Sequence, residues 1–270
     1  MKSAQKLTFL TNFEHRCVEI ERIHPGSPRT MKVYRRAIQS INRTNLSQLD
    51  DYVQNDMMSR YLMQPESMPL DRGPWKYFDI ALHLRVKAEN AVELDLDQSA
   101  PLRILDLGAG GGHFAFIAAC LGHSVLGLDM DIPEYRQLLA CFGVERVVHQ
   151  IVAGAPLPVQ ESFDLVTAFE VTFNNQESAH TPPSSAKVLW TGLQWRGFLT
   201  DLARITRQPG RIFLRLNRQV VPESGQAHGL ELLSLFESWG ASVDRARVNA
   251  LFSTGEPGFL GGDRQHYGGG

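Results

Sequence analysis

A mostly parallel β-sheet with helices on both faces is the fold class this 270-residue chain predicts, on three observations. From Leu102 onward, apolar strand-like runs alternate with helix-period segments, the pattern of successive parallel crossovers. The first run, Arg103-Ile-Leu-Asp-Leu107, breaks into Gly108-Ala-Gly-Gly-Gly112 and passes at once into the helix-forming His113-Phe-Ala-Phe-Ile-Ala-Ala-Cys-Leu121. The next run, His123-Ser-Val-Leu-Gly-Leu-Asp129, closes on an acid at the ~20-residue distance expected of a carboxylate that binds ribose hydroxyls.

Each element has its own justification. Before the first strand, Leu7 to Ile23 reads as a helix stopped by Pro25-Gly-Ser-Pro28, and Thr30 to Ile41 and Leu46 to Met63 as two more, split by the polar Asn42-Arg-Thr-Asn45. Prolines and a glycine make residues 63–74 a loop, and Pro74 suits the first turn of a helix to about Ala91, with Trp75, Phe78, Ile80, Leu82 and Leu84 to bury. Ile104, Leu105 and Leu107 suit a strand covered on both faces. Glycines at 108, 110 and 112 let the backbone turn sharply and meet a ligand where a Cβ would clash, and Gly122 ends the following helix, whose positive N-terminus points back at the turn.

Pro133 to Phe142 gives the next helix, Arg146 to Ala153 the third strand and Ser162 to Phe173 the fourth. A periodic helix from Trp195 to Ile205 precedes a turn at Pro209-Gly210 and a fifth strand, Arg211 to Asn217. His228 to Trp239 is helical, and Ser242 to Ser253 is one long strand or a hairpin. The organisation is therefore a helical extension over 1–97, a core over 98–254 and a loose tail over 255–270, too glycine-rich and polar to bury much apolar surface.

The glycine turn also carries ligand chemistry. A dinucleotide fingerprint needs its third glycine where His113 stands, so a pyrophosphate site fails there. An acid two residues before the first glycine instead gives Asp106-x-Gly108-x-Gly110-x-Gly112, which resembles the first motif of the class I S-adenosylmethionine-dependent methyltransferases. A carboxylate there repels a pyrophosphate and suits a cofactor with a sulfonium and an ammonium. Phe163-Asp-Leu-Val166 is similar to a further segment of that family.

The resemblance, over roughly 102–253, implies a Rossmann-like doubly wound sheet of seven strands, the last antiparallel, and S-adenosylmethionine as cofactor. It implies that residues 1–97 cover the cofactor or shape the acceptor pocket; packing on the core or on another subunit is the alternative. Ligands of open parallel sheets bind beyond the strands' carboxyl ends. The cofactor candidates are therefore Asp106, Gly108, Ala109, Gly110, Gly112, Asp129 and Met130, then Ala153 and Gly154 after the third strand and Phe169 on the fourth. Many relatives carry a polar or acidic residue where Ala153 and Gly154 stand, which here leaves adenine to backbone groups.

Methyl transfer needs alignment and, for a hydroxyl acceptor, a base. The candidate catalytic residues are Glu170 near the end of the fourth strand, His180 in a long 174–194 connection, and His113 after the turn. Their structural alternatives are a partner for a neighbouring arginine at Glu170 and a local cap or cofactor contact at His113. Trp190 and Trp195 suit either a flat acceptor or plain packing.

With 27 basic and 29 acidic residues, net charge −2, nothing global favours nucleic acid, and Lys32, Arg35 and Arg36 read as a solvated helix face. Three cysteines without Cys-x-x-Cys spacing argue against a disulfide framework or zinc, and no metal site is expected. No run is long enough to span a bilayer, and a reducing cytoplasm is the simplest location. The expected partner is a small-molecule acceptor, with oxygen favoured over nitrogen because no Asn/Asp-Pro-Pro-Tyr/Phe follows the fourth strand; the oligomeric state is open. Rival readings are a protein methyltransferase, a nicotinamide-dependent oxidoreductase and a cofactor-binding protein without turnover.

Overall fold

The computed structural model describes residues 13–57, 74–171, 173, 190–217, 228–256 and 258–260. Its strands form a seven-stranded sheet in the order β3-β2-β1-β4-β5-β7-β6, with eight α-helices among the described residues. The strands are β1 (Arg103–Leu107), β2 (Ser124–Asp129), β3 (Glu145–Val148), β4 (Phe163–Val171), β5 (Thr206–Leu216), β6 (Ser242–Asp244) and β7 (Asn249–Thr254). The helices are α1 (Phe13–Ile23), α2 (Pro28–Ser40), α3 (Arg43–Tyr52), α4 (Ile80–Glu93), α5 (His113–Leu121), α6 (Pro133–Phe142), α7 (Gly192–Ile205) and α8 (His228–Ser238). This is the Rossmann-like class expected, with β5–β7 and β7–β6 antiparallel.

The chain divides into two compact units, residues 1–102 with 109–148 and residues 103–108 with 149–270. In the first, the N-terminal helices start where side chains satisfy their free amides. Ser27 Oγ accepts the Thr30 N–H ahead of Pro28, and Asn42 Oδ1 accepts that of Thr44, so Arg43 to Asn45 open a helix rather than form a turn. Asp79 splits the helix expected from Pro74. Residues Pro74–Phe78 form a 3-10 turn, and the Asp79 carboxylate caps Leu82 while Arg16 grips both its oxygens.

α4 packs on α2 and α5, and α3 packs on α6. His123, buried, fastens this unit: its Nδ1 accepts the Leu102 N–H at 3.1 Å and its Nε2 donates to the Leu96 carbonyl at 3.0 Å. Arg35 lies exposed and pairs with Glu21 on both oxygens, as a solvated face should.

In the second unit β4 is flanked by β1 and β5, all parallel, and Ile104, Leu105, Val166, Ile212 and Leu214 are fully buried. Here β5 begins earlier than expected. It continues α7 directly from Thr206, and the expected Pro209-Gly210 turn is a bulge between the pairs Phe163–Thr206 and Leu165–Arg211. The end segment resolves into a hairpin, β6 with β7.

The expectation of a loose tail from 255 is corrected at its start. Phe259 packs edge-on against Phe252 at 5.7 Å, and the Leu260 N–H reaches the Trp239 carbonyl. Aromatic area holds what composition alone would leave free. Residues 261–270 lie outside the described residues. Among the described residues no helix is long and apolar enough to cross a membrane.

Candidate functional site

In the first unit the candidate residues come from the end of β2 and the turn before α5. Gly110 and Gly112 hold φ of 55° and 77°, left-handed values at which an L side chain is strained, and a Cβ on Gly112 would lie 2.5 Å from Leu139 Cδ2. The Ala109 N–H donates to the Leu128 carbonyl, which fixes the turn at the end of β2. There Asp129 accepts the Gly110 N–H on Oδ2 at 2.5 Å and the Met130 N–H on Oδ1 at 2.7 Å.

Asp129 is 9% exposed, and burial pushes its carboxyl above the usual carboxylate range against the opposing pull of those two amides. Both oxygens are oriented by backbone and each retains acceptor capacity, a geometry suited to a pair of adjacent hydroxyls. Met130, half-buried, follows directly. A ribose-bearing ligand, whose hydroxyls donate, fits these acceptors, and a carboxylate suits a cationic one.

His113, the first residue of α5, is 3% exposed. Its ring lies among His83, Phe142 and Tyr77, at centroid distances of 5.1, 5.1 and 6.2 Å.

In the second unit the strand order reverses between β1 and β4, where Asp106 pairs in register with Thr167. Asp106 is buried, and Thr167 Oγ1 donates to its Oδ1 at 3.0 Å, which orients the carboxylate. Just beyond, Gly108 holds φ 63°, and a Cβ there would lie 2.4 Å from Val171 Cγ2. Phe169, buried, faces Phe213 and carries the Arg215 guanidinium 5.5 Å from its ring centre.

Glu170 is exposed and stands at φ 58°, with its carbonyl accepting the Asn217 amide at 2.5 Å. A non-glycine residue in that region costs about 1–2 kcal/mol, and such strain concentrates at functional sites.

One expectation changes, one pair of alternatives is decided, and one residue lies outside the described segments. β3 ends at Val148, so Ala153 and Gly154 do not end a strand but form a turn further on, with Gly154 at φ 80°. The residues between carry too little buried apolar surface to extend it: Val148 and Val152 are about half exposed. Trp190 and Trp195 are buried, 5.1 Å apart, among Phe173, Phe198 and Phe236, which is packing and not an open acceptor face. His180 and most of the 174–194 connection lie outside the described residues.

Sequence reasoning also missed partners. Thr167 gave no local signal of its bond to Asp106, because only strand register brings them together. Tyr77 and His83, whose rings flank His113, belong to a segment far from it in the chain, as does Tyr135, which packs on Tyr77. Among the described residues no cluster of three His, Cys, Asp or Glu side chains is placed to hold a metal ion.

A family model described as a methyltransferase domain matches residues 105–214. No curated protein matches the chain. Among solved structures, a TehB-like S-adenosylmethionine-dependent methyltransferase from Corynebacterium glutamicum is 15% identical, with 77% of this chain and 98% of that one covered at a TM-score of 0.40. A ribosomal protein L11 methylase from Lactobacillus delbrueckii subsp. bulgaricus is 16% identical, covering 65% and 77% at 0.38. An amino pentose methyltransferase from Micromonospora echinaspora, bound to S-adenosylmethionine, is 19% identical, covering 52% and 52% at 0.38.

Proposed function

From the premise that the chain is a class I S-adenosylmethionine-dependent methyltransferase, with S-adenosylmethionine as its cofactor, we propose that it methylates a small-molecule acceptor at oxygen, with Glu170 as the base. The premise displaces the nicotinamide reading. The observation that carries the acceptor chemistry is the exposed carboxylate of Glu170, held at a left-handed φ where β4 ends. A hydroxyl is a weak nucleophile until its proton has somewhere to go, and a carboxylate is a suitable acceptor.

The bound cofactor supplies a methyl group on a positively charged sulfur, already activated toward displacement. What the chain adds is position. Asp129, oriented by the Gly110 and Met130 amides, would take the ribose hydroxyls, and Met130 would serve the adenine. By their place in the motif, Asp106, Gly108, Ala109, Gly110 and Gly112 would complete the cofactor's contacts, with Phe169 a further candidate by its place on the fourth strand. With the methyl group supplied by the bound cofactor, Glu170 would take the proton that the acceptor hydroxyl gives up.

Labelled S-adenosylmethionine incubated with fractionated metabolites and the full chain tests this. Label is expected in a small-molecule methyl ether; label in lysate protein instead would make the chain a protein methyltransferase. Glu170→Gln is expected to lower turnover while leaving cofactor affinity within about threefold, and the reverse pattern would make Glu170 a binding residue.

A further inference from the structure

His113 lies directly beneath the glycine turn. A Cβ on Gly111 would come within 2.8 Å of its Cε1, so the bare glycine is what lets the imidazole fill that space. On the ring's other sides stand Phe142 of α6, edge-on, and His83 of α4, tilted by 43°. The main chain of Tyr77 lies close enough to the imidazole to favour its protonated form. Nε2 is buried without a hydrogen-bond partner among the described residues, an arrangement a neutral ring tolerates far better than a charged one.

A second path joins the same segments. Tyr77 packs edge-on against Tyr135 at 5.4 Å, and burial, with Tyr77 and Asp129 nearby, pushes the Tyr135 hydroxyl above its ordinary range. His83 Nε2 donates to the Lys76 carbonyl at 3.1 Å, which closes the segment on itself. Burial, with help from Lys87, holds both imidazoles below their ordinary value, His83 down to about 4.

We propose that His113 is a positioning residue that ties the segment from Tyr77 to His83 to the cofactor turn, so that a nucleoside seated on the turn and Asp129 also secures that segment. This rests on the cofactor reading above. The chemistry is mechanical: the ring packs under Gly111 on one side and against the tilted rings of His83 and Tyr77 on the other, so a shift of the turn is passed to that segment. Cofactor binding at Gly110 and Asp129 therefore reaches the first turns of α4, none of which belongs to the glycine motif.

Hydrogen–deuterium exchange on the full chain, with and without S-adenosylhomocysteine, tests the tie, alongside calorimetric binding. In the wild type the ligand is expected to slow exchange at 109–113 and also at 80–86. His113→Phe refills the ring volume without the polar tie. Its melting temperature is expected to stay near that of the wild type and its affinity to fall by no more than about tenfold, while the slowing at 80–86 disappears. His113→Ala should lose both the slowing and more than tenfold in affinity.

If the wild type binds S-adenosylhomocysteine but 80–86 exchange as before, or if His113→Phe keeps the slowing there, the tie is overturned and the cofactor reading survives. If the wild type binds none at all, the cofactor reading falls and the tie with it.

Discussion

Asp129→Ala puts the cofactor reading at risk most directly. The wild-type carboxylate is oriented by two amides, at 2.5 Å from Gly110 and 2.7 Å from Met130, and is 9% exposed, so water competes little for its remaining lone pairs. A hydrogen bond to a charged group contributes about 1.5–3 kcal/mol, and two ribose hydroxyls on this carboxylate therefore contribute about 3–6 kcal/mol. Their loss corresponds to a roughly 10²- to 10⁴-fold weaker Kd. Alanine also strands the Gly110 N–H, at a cost of about 1–3 kcal/mol in stability, so the melting temperature should fall by several degrees.

Isothermal calorimetry with S-adenosylhomocysteine reads the first effect, and thermal melting of the ligand-free chain separates it from the second. Asp129→Asn serves as the control for folding. It keeps the shape and one acceptor oxygen, and its affinity should fall between the two. An alanine variant that melts as a folded protein and binds within about threefold of the wild type would refute the ribose role.

The remaining expectations draw on other residues. Because burial raises the Asp129 carboxyl and the ribose bonds need the carboxylate form, S-adenosylhomocysteine affinity should decline on acidification at a pH above the usual carboxylate range; a flat profile down to that range would count against it. The same sign makes the ligand-free fold relatively less stable above that folded value, as the buried charge forms, and Asp129→Asn should remove this dependence from melting curves. Gly108→Ala should destabilise by about 1–3 kcal/mol through its left-handed φ and the clash with Val171, and the double variant with Val171→Ala should recover the clash share only, as a double-mutant cycle in urea would measure. Trp195→Ala empties a fully packed aromatic cluster and should cost about 3–5 kcal/mol in the same assay, with unchanged stability refuting its core role.

The legible parts of the site are those written locally. Gly110 and Gly112 could be read because left-handed backbone at a turn excludes other side chains, and their φ values bear this out. Asp129 could be read as the acid that closes the second strand, and β2 does end there, while its bond to the Gly110 amide was not foreseen. α6 was bounded correctly from Pro133 to Phe142 because proline opens a helix and Gly143, at φ 65°, closes one. β3 was overread, since its exposed valines look like strand residues but have nothing to cover them. The split at Asp79 was missed because what favours the cap is Arg16, a partner far away in the chain.

By itself, then, the sequence determined the alternation of strands and helices, the glycine turn and the sign of charge around it, because each depends on backbone sterics or on residues a few positions apart. Tertiary structure decided that Thr167 orients Asp106, that Trp190 and Trp195 are core, that Glu170 is strained, and that His113 sits under the turn against Tyr77 and His83. Burial and strand register are properties of distant segments brought together, and no local pattern encodes which distant segment arrives.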